Sequence, residues 1–103
     1  MKNMKKWVCL VLVVMVALAI ALPALAGTVH GGRLNLRKNP YPTATIIGYI
    51  PNGSYVETPN GYIKYGSNPY YYYINAPSYL SGQSAADCVW RLGYGQIDYI
   101  WQD

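Results

Sequence analysis

Cys88 and His30 are the two residues whose chemistry could support covalent catalysis. A thiol and an imidazole that meet in space can act as nucleophile and general base. A cysteine becomes reactive where a positive or hydrogen-bonding environment stabilises its thiolate, and the residues around Cys88 carry no such signature. The sequence favours Cys88 as a small apolar strand residue and His30 as an exposed loop residue. A small hydrolase that uses Cys88 is the enzymatic alternative.

The remaining ionisable residues do not form a recognisable catalytic or metal-binding pattern. After residue 26 the acidic residues stand singly, at Glu57, Asp87, Asp98 and Asp103. Such scattered carboxylates are more typical of a solvated surface than of a glycosidase pair. A metal site usually needs several ligands, and the chain has one histidine and no C-x-x-C or H-E-x-x-H motif. The sequence therefore predicts a protein without a catalytic site, metal or cofactor.

Tyrosine is the residue type with the clearest potential for binding. The chain has twelve tyrosines and no phenylalanine, and a run of four, Tyr70 to Tyr73, precedes Ile74. Alternate side chains of a strand face opposite sides, so an inward Ile74 would turn Tyr71 and Tyr73 outward. Two such rings, ~7 Å apart at a rise of ~3.3 Å per residue, would form a ledge suited to a sugar or an extended peptide. The alternative is that these tyrosines are structural and cover the C-terminal strands.

The first 26 residues have the organisation of a secretory signal peptide. They contain basic residues, an apolar run and two small residues, namely Lys2, Lys5, Lys6, residues 7–22, Ala24 and Ala26. This order predicts a signal-peptide helix that is removed by cleavage before Gly27. The alternative is a retained membrane anchor, but the 16-residue apolar run is shorter than the roughly 20 residues that span a bilayer. The predicted product is secreted and meets a membrane only through this segment.

Removal of that segment changes the charge and the cysteine content. The full chain carries a net charge of +4, but residues 27–103 contain five basic and four acidic residues. A net charge of +1 without a basic cluster gives no support for nucleic-acid binding. Cys9 would leave with the signal peptide, so Cys88 would have no partner within the chain. The secreted domain is thus expected to depend on packing rather than on a disulfide.

The stretch from Arg33 to Glu57 predicts three strands. Residues 34–37 alternate apolar and polar side chains, as in a strand buried on one face. Prolines interrupt the next segment, and residues 46–50 then favour a second strand. The Pro51-Asn52-Gly53 turn leads to a third strand over residues 54–57. This pattern predicts the start of a small antiparallel barrel or sandwich.

These residues resemble the bacterial SH3-like (SH3b) domain family. The shared features are Leu34-Asn35-Leu36-Arg37, a polar proline-containing loop, Ile46-Ile47-Gly48 and the turn before Val56. The resemblance continues through Gly61-Tyr62, Lys64, Tyr72-Tyr73-Ile74 and Tyr79-Leu80, with Tyr62 at a usual tryptophan position and Tyr72 at a usual glycine position. It implies a mainly β, SH3-like antiparallel barrel over residues 27–80.

Residues 81–103 are predicted to form a C-terminal β extension. Two β-rich runs, 88–92 and 97–101, flank the glycine-containing segment 93–96, which favours a β-hairpin added to the barrel. In an alternative alignment with the family, Trp90 supplies the expected tryptophan and residues 98–100 form the closing strand. Residues 59–87 would then be a tyrosine-rich insertion.

The resemblance implies a secreted, non-catalytic module that binds peptidoglycan peptides of the bacterial cell wall. The expected contact residues are Arg37, Asn39, Tyr41, Tyr71 and Tyr73, with Lys38 beside them. The alternative partner is another extracellular protein, bound or inhibited through the Tyr/Trp-rich surface, because aromatic residues are typical interface anchors.

Overall fold

Strands account for most of the regular structure in the computed structural model, which describes residues 25–103. The strands are β1 Leu25–Val29, β2 Leu34–Arg37, β3 Ile46–Ile50, β4 Tyr55–Thr58, β5 Tyr65–Gly66, β6 Tyr70–Ser78, β7 Val89–Gln96 and β8 Ile100–Gln102. Two 3₁₀ turns cover Ala85–Asp87 and Ile97–Tyr99. The predicted signal-peptide helix and Ala24 lie outside the described residues. The described part of the chain is mainly β, as the sequence predicts.

The strands form one antiparallel sheet in the order β3-β2-β7-β6-β4-β1-β8, and the short β5 pairs with the start of β6. The sheet curls, because Tyr49 of β3 also exchanges two backbone hydrogen bonds with Tyr79, just after β6. Their N–O distances are 2.8 and 3.0 Å. The end of β6 thus meets a strand that lies three positions away in the sheet order.

The prediction of three strands within residues 33–57 is confirmed. Strands β2, β3 and β4 fall where the alternating and β-branched residues predict them. Gly53 has a φ of 82° in the turn between β3 and β4, a conformation that glycine adopts without steric cost. The buried positions of β2 are Leu34 and Leu36, so the apolar half of the predicted alternation faces the core.

The predicted hairpin over residues 88–101 is wrong. Segment 93–96 is part of the continuous strand β7, which pairs with β6 from Ser78↔Val89 to Tyr71↔Gln96. Gly93 allows a close approach instead of a turn, since a Cβ there would lie 2.8 Å from Cγ of Leu36. Strand β8 pairs with β1 rather than with β7. Residues 81–103 therefore supply two strands of the same sheet.

The segment after Gly61 contributes little to the sheet. Only Tyr65 and Gly66 pair with β6. Tyr62 instead packs edge-on against Tyr72, with ring centroids 5.3 Å apart, and donates a hydrogen bond to the carbonyl oxygen of Ala26. The Tyr62 side chain thus connects β1 with β6, while its backbone lies outside the strands.

The hydrophobic core lies on the inner face of the curled sheet. Its members are buried aliphatic residues and one tyrosine, drawn from six strands, namely Val29, Leu34, Leu36, Ile50, Val56, Tyr72, Ile74, Ala76 and Ile100. The inward direction predicted for Ile74 is confirmed. No helix within residues 25–103 has the length and apolar character needed to cross a membrane.

Candidate functional site

A row of three side chains crosses the outer face of the sheet. Arg37 of β2 lies opposite Tyr94 of β7, and Tyr94 lies opposite Tyr73 of β6. Residues paired directly across antiparallel strands project to the same face. The row places a guanidinium beside two phenol rings on three adjacent strands.

Tyr65 extends this row into an aromatic surface, defined here as Tyr65, Tyr73 and Tyr94. The Tyr94 ring is 5.2 Å from that of Tyr73 and 5.4 Å from that of Tyr65, between centroids. The Tyr65–Tyr94 pair meets edge-on at 76°. Edge-to-face contacts at these distances are favourable, so the three half-buried rings support one another.

A small pocket opens beside the aromatic surface. Its volume is ≈ 130 Å³, and its lining consists of Arg33, Leu34, Asn35, Arg37, Tyr71, Gln96 and Tyr99. Strands β2, β7 and β6 supply most of these side chains, and Gln96 lies directly opposite Tyr71. We call this feature the arginine pocket, because two guanidinium groups dominate its charge.

Neutral partners hold both guanidinium groups in place. Arg37 donates a hydrogen bond from Nη1 to the carbonyl oxygen of Ala44, at 3.0 Å. Cζ of Arg33 lies 4.2 Å from the centroid of the Tyr49 ring, a cation–π distance. The nearby carboxylate of Asp98 accepts a hydrogen bond from Nε2 of Gln96, at 3.0 Å. Two positively charged residues therefore line the pocket, and one negative charge lies next to its Gln96 wall.

The predicted tyrosine ledge is wrong, because Tyr71 is only 2% exposed. Its backbone pairs with Tyr65 of β5 on one side and with Gln96 of β7 on the other, and neighbouring side chains enclose its ring. Tyr73 does lie on the outer face, half-buried beside Tyr94. Tyr71 instead forms part of the wall of the arginine pocket.

The other predicted contact residues, Asn39 and Tyr41, lie in the loop between β2 and β3 and do not line the arginine pocket. Tyr41 is 49% exposed, whereas Asn39 is half-buried. The backbone N–H of Tyr41 donates to the carbonyl oxygen of Asn39, and the N–H of Ala44 donates to that of Tyr41. Gly66 approaches Pro40 so closely that a Cβ would collide with its carbonyl oxygen. The loop thus borders β5 and the aromatic surface.

Sequence reasoning missed Arg33, Asn35, Tyr94 and Gln96 as members of the site. A signal for two of them was present, because Arg33, Asn35 and Arg37 follow the two-residue period of one strand face. Tyr94 was hidden by its flanking glycines, which resemble a turn. Its place in a strand depends on the contact between β7 and β2.

A second exposed surface lies at the other end of β7. Trp90 and Leu92 are 50% and 51% exposed, and the alternation of the strand places both on the outer face. Val89 and Leu80 are exposed nearby. This apolar end is suited to contact with another macromolecule rather than with a small polar ligand.

Neither of the two residues considered for catalysis is among the residues that line the arginine pocket. The His30 ring stacks on that of Trp101 at a centroid distance of 3.7 Å. The residue lies in a loop, as predicted, but it is half-buried rather than exposed. Cys88 is a half-buried free cysteine immediately before β7. Within residues 25–103, no cluster of three His, Cys, Asp or Glu side chains could hold a metal ion.

Comparison with known proteins returns no match to a family model, to a curated protein or to a solved structure. The aromatic surface and the arginine pocket are the features of the described residues from which a function can be inferred.

Proposed function

We propose that this protein is a secreted, non-catalytic binding module of the bacterial SH3 type that recognises peptidoglycan peptides of the cell wall. The observation that carries the proposal is the row Arg37–Tyr94–Tyr73, which presents aromatic rings beside a positive charge on adjacent strands. Rings with polar edges favour the flat faces of peptide bonds, and a guanidinium favours carboxylates. Such a surface holds a ligand and needs no nucleophile.

Two features support an SH3-like barrel as the form of this module. The bridge between Tyr49 and Tyr79 brings β3 back to β6, as curling of the sheet towards closure requires. Strand β8 pairs with β1, and Ile100 enters the core. The latter pairing favours the alternative alignment, in which the end of the chain supplies the closing strand.

Cosedimentation with purified, insoluble cell walls tests the proposal. The full chain, kept in solution with a mild detergent, is mixed with walls over a range of salt concentrations and centrifuged. We expect the protein to pellet with the walls. The double variant Tyr73→Ala with Tyr94→Ala should stay largely in the supernatant, because it removes two adjacent rings, and stacking contacts are individually worth about 0.5–1.5 kcal/mol.

A matched control is Tyr55→Ala, which removes an exposed tyrosine of β4. This variant should pellet like the unmodified protein. Circular dichroism of each variant checks that the sheet is retained. Protein that remains in the supernatant at every salt concentration would refute wall binding, and equal pelleting of the folded double variant would exclude the aromatic surface.

The second candidate function is docking on another extracellular protein. The observation that favours it is the exposed apolar end of β7, where Trp90 offers a large ring of the kind that anchors interfaces. Trp90→Ser with Leu92→Ser should abolish such docking and leave wall cosedimentation unchanged. Loss of cosedimentation in this folded variant would transfer the wall contact to the end of β7.

A further inference from the structure

We propose that the arginine pocket binds the free carboxylate of a peptide. This inference rests on the proposed function and names the chemical group that the module recognises. Both arginines line one cavity, and the guanidinium group of each is already positioned by a neutral partner, the Ala44 carbonyl for Arg37 and the Tyr49 ring for Arg33. Their remaining N–H donors are available to an anion.

The geometry favours a planar anion with two oxygens. Guanidinium groups bind carboxylates through paired, charge-assisted hydrogen bonds. Because binding groups on strands are positioned more precisely than groups on loops, Arg37 on β2 can act with little loss of side-chain freedom. Arg33, two residues before Asn35, lines the same cavity.

The charge around the pocket matches a monovalent ligand. Arg33 and Arg37 contribute two positive charges, and the Asp98 carboxylate near Gln96 contributes one negative charge. A single carboxylate would neutralise the remaining net charge of +1. A phosphate dianion would exceed it and would lie near the Asp98 carboxylate, so electrostatics favour the carboxylate.

The size of the cavity limits what accompanies the carboxylate. A volume of ≈ 130 Å³ accepts several water-sized groups but is smaller than the roughly 300–1,000 Å³ of pockets that enclose whole small molecules. The pocket therefore fits a carboxylate and one small adjoining side chain. The side-chain amides of Asn35 and Gln96 can bind the neighbouring peptide group, and the rest of the peptide would extend over the aromatic surface.

Titration with a matched pair of peptides tests this assignment. The probes are N-acetyl-D-alanyl-D-alanine and its C-terminal amide, which differ in charge but hardly in shape. Added to the full chain in mild detergent and followed by NMR, the acid should bind with a Kd on the order of 1 mM, as befits a small ligand. The amide should bind at least about tenfold more weakly, because it cannot make the charge-assisted hydrogen bonds.

Three charge variants distinguish binding by the arginine pocket from nonspecific attraction to positive charge. Arg33→Gln and Arg37→Gln should each weaken binding of the acid about tenfold, and their combination should abolish it. Lys38→Gln removes the same charge beside Arg37, outside the pocket lining, and should change the Kd less than twofold. Arg33→Gln affects an exposed side chain, so it remains informative if Arg37→Gln destabilises the fold.

Several results would overturn the assignment. They are equal binding of acid and amide, an equal effect of Lys38→Gln, tighter binding of methyl phosphate than of the acid, and no binding of the acid. Wall cosedimentation shows whether a failure concerns the arginine pocket or the proposed wall-binding function. If the folded Arg33→Gln, Arg37→Gln double variant pellets like the unmodified protein, the arginine pocket is not required for wall binding, and the proposed wall-binding function still stands. If the acid binds but the unmodified protein does not pellet, wall binding is refuted, and carboxylate binding by the arginine pocket still stands.

Discussion

The phenol of Tyr62 donates a hydrogen bond to the backbone carbonyl of Ala26, across a sequence separation of 36 residues. Ala26 lies in β1, and its carbonyl oxygen also accepts the backbone N–H of Asp103 at 3.2 Å. One carbonyl group thus connects the first strand, the segment before β5 and the residue after β8. The start and end of the described chain are held together at this point.

Substitution of Tyr62 by phenylalanine should destabilise the fold and change its response to alkali. Loss of the hydrogen bond should lower the free energy of unfolding by about 1 kcal/mol at pH 7, measured by urea denaturation. Burial raises the pKa of the Tyr62 phenol above its usual value, and the negative charge of Asp103 raises it further. The folded state therefore holds the phenolic proton more tightly than the unfolded state.

The sign of the pH effect follows from this raised pKa. The contribution of the Tyr62 phenol is fully present below the unfolded value of about 10 and is lost as pH rises through the folded pKa. Stability of the unmodified protein should fall more steeply above pH 10 than that of Tyr62→Phe. Tyr41→Phe, at an exposed site, is the control and should follow the unmodified protein. Parallel alkaline curves for Tyr62→Phe and the unmodified protein would contradict the prediction.

Leu25 and Ala26 should add measurably to stability, although cleavage before Gly27 would remove them. Strand β1 pairs with β4 from Leu25↔Thr58 onward, and Oγ1 of Thr58 donates to the Leu25 carbonyl oxygen at 2.7 Å. A chain beginning at Gly27 should be about 1–3 kcal/mol less stable than one beginning at Leu25, since it loses several hydrogen bonds of about 1 kcal/mol each. Urea denaturation of the two chains measures this difference.

Thr58→Val provides the control for this comparison. Thr58 is 1% exposed in the presence of Leu25, and truncation removes the carbonyl oxygen that accepts its hydroxyl hydrogen bond. Valine has a similar shape and no hydroxyl, and the cost of truncation should therefore be smaller in the Thr58→Val background. An unchanged cost would show that the hydroxyl contributes nothing to the difference.

The local patterns of the sequence predict where most strands lie, but they predict less well which side chains are exposed to solvent. The inward direction of Ile74 in β6 is predicted correctly, because it follows from the aliphatic character of that side chain. The exposure of Tyr71 depends on β5 and β7, whose positions follow from long-range pairing that no local pattern encodes. The same limit explains Gly93 and Gly95, which favour a turn locally but lie in a strand where β2 and β6 side chains approach closely.

Gly93→Ala tests whether these glycines are required for packing. A Cβ at Gly93 would lie 2.8 Å from Cγ of Leu36 and 2.8 Å from the carbonyl oxygen of Arg37, and the latter belongs to the backbone and cannot rotate away. We expect a loss of about 1–3 kcal/mol in the free energy of unfolding, the usual cost of overpacking. Leu92→Ala, at the adjacent exposed position, should cost less than about 0.5 kcal/mol. Equal stability of Gly93→Ala and the unmodified protein would mean that β2 and β7 can separate at little cost.

Two substitutions of Tyr71 should separate its packing from its role in the arginine pocket. Tyr71→Ala removes a ring that is 2% exposed and should cost about 3–5 kcal/mol, as for other buried aromatic residues. Loss of ligand binding in that variant would report unfolding. Tyr71→Phe keeps the ring and should cost no more than about 1.5 kcal/mol.

The phenylalanine variant is therefore the informative one for binding. We expect it to remain folded and to bind N-acetyl-D-alanyl-D-alanine several-fold more weakly, because a pocket wall has lost its hydroxyl donor. Tyr70→Phe, at the adjacent exposed position of β6, should bind as the unmodified protein does. If Tyr71→Phe binds with unchanged affinity, the Tyr71 hydroxyl makes no contact with the ligand. Recognition would then depend on the guanidinium groups and the side-chain amides of the pocket.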